Sequence, residues 1–211
     1  MEAAELLVLT QRLQALAQAG LAYSTNAFDL ERYEEIRGLS VRLLGEITDE
    51  PYEKIVQVFA SETGYQTPKV DIRAVIFRGD SEILMVRETN DGGRWTLPGG
   101  WADVGYTPFE TAEKEALEET GLIVKAVRLL ALLDKRKHEH PAQPWYIYKA
   151  FIRCEMVGGE LLQETAETGG ARWFTLAEAL GAELSVDRVT ASQLELMFRF
   201  VEDPGMAVVC D

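Results

Sequence analysis

Leu97 to Leu122 reads LPGGWADVGYTPFETAEKEALEETGL, and the fold follows from how its two halves fit together. The first half is a glycine turn, Leu97-Pro98-Gly99-Gly100; the second is an acidic helix closing at Gly121. Thr107 suits the N-cap, Pro108 the first helical position, and Glu110, three residues past Thr107, completes a capping box. Gly121 suits a left-handed stop. At 100° per residue Glu115, Glu118 and Glu119 share one face, while Phe109, Ala112 and Ala116, flanked by Leu117, form a neighbouring face for packing. Like charges so spaced destabilise a helix by about 0.2–0.5 kcal/mol per pair, and the helix carries one base, Lys114. A solvated acidic helix is one reading. The other is a carboxylate face set against a cation, for which hard oxygen ligands point to Mg²⁺ or Mn²⁺. The diglycine favours the second, because Gly99 and Gly100 let backbone approach an anion or a metal closely.

This stretch resembles the signature of the Nudix hydrolases, G-x5-E-x7-R-E-U-x-E-E-x-G-U with U aliphatic. Gly100 takes the first position, and Glu115, Glu118, Glu119, Gly121 and Leu122 the later ones. Tyr106 stands where the pattern has its first Glu, Lys114 where it has Arg, and Ala116 is smaller than the usual aliphatic residue. The resemblance implies that Glu115, Glu118 and Glu119 hold divalent metal with help from the Gly99 carbonyl. Lys114 keeps the charge of the motif Arg without its bidentate fork.

Outward from the signature, 211 residues suggest one or two domains, and 47% hydrophobic with 27% charged residues is a soluble globular composition. A net charge of -14 argues against a non-specific nucleic-acid or membrane surface, though not against a small phosphorylated substrate. Cys154 and Cys210 match no metal or redox spacing, the N-terminus lacks a basic n-region, and no apolar run approaches ~18 residues. A cytoplasmic chain with no membrane span is expected.

Residues 4 to 19 carry a stripe of Leu6, Leu9, Leu13, Leu16 and Ala17. A second helix is expected from Asp29 to Glu46, with Tyr33, Ile36, Leu39, Leu43 and Leu44 on its apolar side, and a third from about Asp49 to Glu62. Residues 1–66 thus read as a small all-α domain and 67–211 as a second domain, linked through Thr63 to Lys69. The helical domain is a candidate cover, dimer interface or shaper of substrate access. The second domain opens with strands at Val70–Arg78 and Glu82–Arg87 joined by Gly79-Asp80-Ser81, then Trp95-Thr96-Leu97. After the acidic helix come Leu122 to Lys135 as one bent strand or two, Pro144 to Glu155, and Ala171 to Thr175. A brief helix spans Leu176 to Leu180, and Thr190 caps a last one bearing Leu194, Met197 and Phe198. This order resembles the α/β/α sandwich of the Nudix fold with its mixed sheet. The helical preface resembles that of a bacterial branch whose members include ADP-ribose and CDP-choline pyrophosphatases.

Splitting a diphosphate needs charge neutralisation, an oriented water and a base. Glu115, Glu118 and Glu119 are candidates for the base, as are Glu160, Glu164 and Glu167 of the loop Gly158 to Gly170, with Glu167 preferred because it precedes the Arg172-Trp173-Phe174 strand. Lys135, Arg136, Lys137 and His138, with His140, make the densest positive patch and can clamp phosphates or simply be a solvated loop. Arg87 and Arg94 flank the glycine turn as further phosphate contacts. The histidines lack partners at metal-ligand spacing. Of Trp95, Trp101, Tyr106, Trp145 and Tyr146, Trp101 is the first candidate for stacking a base, with core packing the alternative for each.

The expectation is a Mg²⁺- or Mn²⁺-dependent hydrolase of nucleoside diphosphates linked to another moiety, of ADP-ribose or CDP-choline type. It would act on a small nucleotide, with no nucleic-acid or membrane partner, and as a homodimer. Alternatives are a nucleoside triphosphate pyrophosphohydrolase of the MutT type and a nucleotide-binding module that kept the fold and lost catalysis.

Overall fold

The computed structural model describes residues 3–60, 64–162 and 168–211. The chain forms two compact units, Met1–Pro68 with Ala142–Tyr146, and Lys69–Pro141 with Ile147–Asp211. No described helix is long and apolar enough to cross a membrane.

The first unit holds α1 (Ala3–Tyr23), α2 (Ala27–Ile47) and α3 (Tyr52–Ala60). Asn26 caps α2, its side chain accepting from the backbone N–H groups of Phe28 and Asp29. Leu7, Val41, Leu44, Ile55 and Phe59 form its core. Of the expected apolar stripes, Ala17 and Leu44 are buried, but most of the other members are not. Leu9, Leu13 and Leu16 of α1 and Ile36, Leu39 and Leu43 of α2 are exposed, whereas the buried positions of α1 include Thr10, Gln11, Gln14 and Gln18. Gln11 Nε2 donates to the carbonyls of Gln143 (2.8 Å) and Trp145 (3.4 Å). Periodicity identifies a helix but cannot say which of two faces turns inward in a unit this small.

The second unit is built on a mixed sheet of β1 (Lys69–Arg78), β2 (Glu82–Glu88), β3 (Arg94–Thr96), β4 (Leu122–Asp134), β5 (Ile147–Gly159), β6 (Thr168–Thr175) and β7 (Val209–Cys210). The order is β3-β2-β1-β5-β4-β7, with β6 along β2. β1 and β5 run parallel from Lys69 opposite Ile147 to Ile76 opposite Cys154. A parallel centre covered on both faces requires apolar residues on both sides of each strand, which is why β1 is a nearly unbroken buried run. On one face Ile72, Ala74 and Ile76 pack with Ala112 and Ala116 of α4 (Pro108–Thr120). On the other, Val75 and Phe77 pack with Ala179 of α5 (Leu176–Gly181) and with Leu194, Met197 and Phe198 of α6 (Ala191–Glu202). The Phe77 and Phe198 rings meet edge-on at 5.0 Å. This is the expected α/β/α sandwich preceded by helices.

One open reading is decided and three others change. Leu122–Asp134 is one strand, bent by three register shifts against β5. β5 starts at Ile147, because Pro144–Tyr146 belongs to the first unit. β7 was not legible, since two residues show no period; it pairs parallel with β4. On α4, Phe109 and Leu117 are exposed and Glu115 and Glu119 are buried, so the face turned inward is Ala112 and Ala116 together with two acids.

Candidate active site

The diglycine turn lies flat on β1. Ala74 N–H donates to the Pro98 carbonyl and Ile72 N–H to the Gly100 carbonyl, both at 2.8 Å, and Ala102 N–H donates to Val70 at 2.9 Å. Gly99 has φ +145°, and a Cβ there would lie 2.0 Å from the Ile72 carbonyl oxygen. Only glycine fits such an approach. A Cβ on Gly100 would instead meet the Glu115 carboxylate at 3.2 Å, so that side chain rests against the turn.

α4 delivers the acids. Its capping box of Thr107 and Glu110 is formed, Pro108 opens it and Gly121 closes it in the left-handed region. Thr168 Oγ1 of β6 donates to the Glu119 backbone carbonyl at 2.9 Å and holds the last turn. Glu119 Oε2 accepts the Gly99 N–H at 2.8 Å. Burial pushes the Glu119 carboxyl up to about 8 against the pull of Arg73 and that N–H. Lys114 Nζ contacts Glu118 (2.9 Å), Glu115 (3.1 Å) and Asp103 (3.7 Å). Its pKa is raised by the hydrogen bonds to Glu118 and Glu115.

Two of the three expected carboxylates, Glu115 and Glu118, thus converge on one ammonium. Glu119 is engaged across the turn. Among the described residues no three His, Cys, Asp or Glu side chains are gathered closely enough to hold a metal by themselves. The donor set nonetheless suits a hard cation: two carboxylates already share a positive charge, and a third stands on the next turn of the helix beside the Gly99 backbone.

The remaining expected residues are dispersed. Arg87 is exposed and its Nε donates to the Gly93 carbonyl at 2.9 Å. Arg94 pairs with Asp91 (2.9 Å) and Glu183 (3.3 Å). Trp101 is 47% exposed just past the turn and is bridged through its backbone to Asp71. Trp95 packs edge-on against Phe174 at 4.8 Å. The basic run is not a free loop. Lys135 is buried and reaches Asp187 at 3.5 Å, and burial lowers its pKa. Arg136 places its fork on Asp134, and His138 meets Asp211 at 3.0 Å. His140 donates from Nδ1 to the Val186 carbonyl and accepts at Nε2 from Gln193, as a neutral ring does. Glu167 and Glu164 lie outside the described residues; Glu160 is exposed.

Sequence reading missed a buried ionic cluster on β1 and β5. Arg73 grips Asp71 with Nε (3.1 Å) and Nη2 (2.6 Å), and Nη1 donates to the Leu97 carbonyl at 3.1 Å. Lys149, opposite Asp71 in the parallel register, also binds it. Burial would raise the Asp71 carboxyl, but Arg73 and Lys149 hold it down at about 2. Burial lowers Lys149 to about 8 against the pull of Asp71, so at neutral pH the pair is ionic. The signal available was Asp71 and Arg73 at i and i+2 inside an otherwise apolar strand.

Comparison with known proteins adds to this geometry. A profile described as the UDP-X-like, N-terminal oligomerisation domain matches residues 4–59, and one for the NUDIX domain matches residues 67–196. The chain is 43% identical over 202 residues to Bacillus subtilis (strain 168) YjhB, named provisionally as an ADP-ribose pyrophosphatase; the match covers 95% of this chain and 94% of that one. A crystal structure of a UDP-X diphosphatase superposes with a TM-score of 0.62 and 32% identity over 100% of both chains. An ADP-ribose pyrophosphatase from Streptococcus suis gives 0.60 and 39%, covering 69% of this chain and 100% of that one.

Proposed function

From the premise that the chain belongs to the Nudix hydrolase family, we propose that it is a divalent-metal-dependent pyrophosphohydrolase of nucleoside diphosphates linked to a second moiety, of the ADP-ribose, CDP-choline or UDP-linked kind. The pyrophosphohydrolase activity is the family's; the metal and the substrate class are the proposal. The observation that carries it is the convergence of Glu115 and Glu118 on one cation beside a turn that accepts no side chain at Gly99. The relatives that match nearly the whole of the chain carry the names ADP-ribose pyrophosphatase, given provisionally, and UDP-X diphosphatase.

Glu115, Glu118 and Glu119 with the Gly99 backbone are the residues for Mg²⁺ or Mn²⁺, which supplies charge neutralisation of the diphosphate and acidification of water. Gly99 and Gly100 keep the turn thin enough for phosphate oxygens to approach. Lys114, which holds Glu115 and Glu118, would be a positive charge available to substrate if a divalent cation were held by those acids. Trp101 offers an exposed ring for the base and Arg87 is the exposed candidate phosphate cation, whereas the candidates Lys135 and Arg136 are engaged by Asp187 and Asp134. The water proton goes to a carboxylate, with Glu119 and the loop acid Glu167 as the candidates. Water attacks one phosphorus of the bridge, the P–O bond to the other phosphate breaks, and two monophosphates leave.

The homodimer belongs to the same reading. Leu9, Leu13 and Leu16 of α1, at i, i+4 and i+7, stay exposed on a unit whose profile is that of an oligomerisation domain. An apolar stripe of this kind is where a second copy packs.

Turnover of ADP-ribose, CDP-choline, a UDP-sugar and a deoxynucleoside triphosphate with Mg²⁺ or Mn²⁺ tests the proposal. Monophosphate release from a linked diphosphate, lost on chelation and in Glu118→Gln, supports it. Turnover of the triphosphate alone would move the assignment to the triphosphate reading, and tight nucleotide binding without turnover to the binding module.

A further inference from the structure

We infer that Arg73 is a positioning residue of the diphosphate site, fixing the Leu97–Gly100 turn and through it the Glu119 carboxylate. The inference rests on the reading that Glu119 serves a divalent cation.

Arg73 is 4% exposed and makes three hydrogen bonds, two to Asp71 and one to the Leu97 carbonyl. The Leu97 carbonyl is the first of the turn, and two residues later Gly99 N–H is donated to Glu119. The turn lies against Arg73 itself: a Cβ on Gly99 would come within 3.0 Å of the Arg73 Cα. The path from Arg73 to Glu119 is therefore short, and its links are hydrogen bonds and a backbone contact. Once ionised, the Glu119 carboxylate is also attracted to Arg73.

Stability alone does not account for this arrangement. A buried ion pair is often no better for folding than apolar residues of the same volume, and β1 is otherwise filled with Ile, Val, Ala and Phe. Asp71 is shared by two buried cations, Arg73 and Lys149, and Glu119 and Glu88 also act on Arg73 from the side of the turn. A fork that is bidentate to one carboxylate and still reaches a carbonyl has one orientation. Lysine cannot reproduce it. Lys149 holds Asp71 from β5, so the carboxylate that orients Arg73 is itself held from the neighbouring strand.

The test compares wild type, Arg73→Lys, Arg73→Met and a control, Val189→Ala, which cuts the core of the same unit away from the cluster. Three quantities are read: amide exchange at Gly99 in the metal-free protein, Mn²⁺ affinity by paramagnetic titration, and the split between kcat and KM. Residues that orient metal ligands typically change affinity by about 10–100-fold, and a small misplacement of reacting groups costs about a hundredfold in rate. Arg73→Met is expected to speed Gly99 exchange, weaken Mn²⁺ about tenfold and lower kcat about a hundredfold with KM nearly unchanged. Arg73→Lys is expected to fold and yet recover only part of each loss; if Arg73→Met does not fold, Arg73→Lys decides. The inference is overturned if both variants match wild type in Gly99 exchange and Mn²⁺ affinity, or if Val189→Ala reproduces their losses at equal stability. Should wild type hydrolyse no nucleotide, the proposed function fails while exchange and Mn²⁺ affinity still report on Arg73.

Discussion

Replacing Gly99 by alanine isolates the contact on which the site is built. At φ +145° an alanine backbone is strained by about 1–3 kcal/mol. The added methyl would also lie 2.0 Å from the Ile72 carbonyl oxygen, a backbone atom that cannot swing aside. Relief requires the turn to lift from β1. That loosens the Ile72–Gly100, Ala74–Pro98 and Gly99–Glu119 hydrogen bonds, worth about 0.5–1.5 kcal/mol each. Strain and lost bonds are partly alternatives, since lifting the turn relieves the strain, so a loss of about 2–4 kcal/mol is expected. Gly100→Ala is the matched control. Its methyl meets the end of the Glu115 side chain at 3.2 Å, which can give way, and about 1 kcal/mol or less is expected. Urea unfolding followed through Trp95, together with amide exchange at Ile72 and Ala74, reads both variants within the second unit. Equal costs for the two alanines, or unchanged protection of Ile72 and Ala74 in Gly99→Ala, would refute the reasoning.

Asp71→Asn leaves Arg73 and Lys149 buried without their shared anion and is expected to cost about 3–5 kcal/mol, whereas Lys149→Met keeps the Arg73–Asp71 fork and stays within about 1–2 kcal/mol of wild type by urea unfolding. His140 is held down at about 3 by burial and by Lys149 and Lys135. Its folded pKa lies below the unfolded value, so its stabilising contribution is full above about 6.5 and falls as pH drops toward 3, by at most about 1.4 kcal/mol per pH unit. Unfolding midpoints at pH 7, 6 and 5 should fall less steeply in His140→Asn than in wild type; identical slopes would show that the ring is not buried neutral. Leu13→Glu on the exposed stripe of α1 should turn a dimer into a monomer in light scattering without loss of helix content, and an unchanged mass would remove that face from the interface.

The acidic helix was legible because each of its signals is local. A cap at Thr107, a proline at 108, a glutamate at 110 and a glycine at 121 act on their own neighbours, and all four features are formed. The same holds for the strand runs of β1 and β2 and for the capped final helix. Leu9, Leu13 and Leu16 show where local information stops: their spacing defines a stripe, but whether a stripe faces its own core or outward depends on what the other helices offer. Phe109 and Leu117 were misplaced for the same reason, since burial of Glu115 and Glu119 follows from the Gly100 and Gly99 backbone laid over them.

By itself the sequence determined which residue types were in play: a turn that must be glycine and a helix face crowded with carboxylates, both fixed by short-range sterics and charge spacing. The tertiary structure decided which charges meet. Asp71 and Lys149 are 78 residues apart and share a register only because β1 and β5 pair in parallel. Burial then makes the cluster ionic and directional, because in the low dielectric of the sheet interior a charge without a partner is far costlier than one that is held.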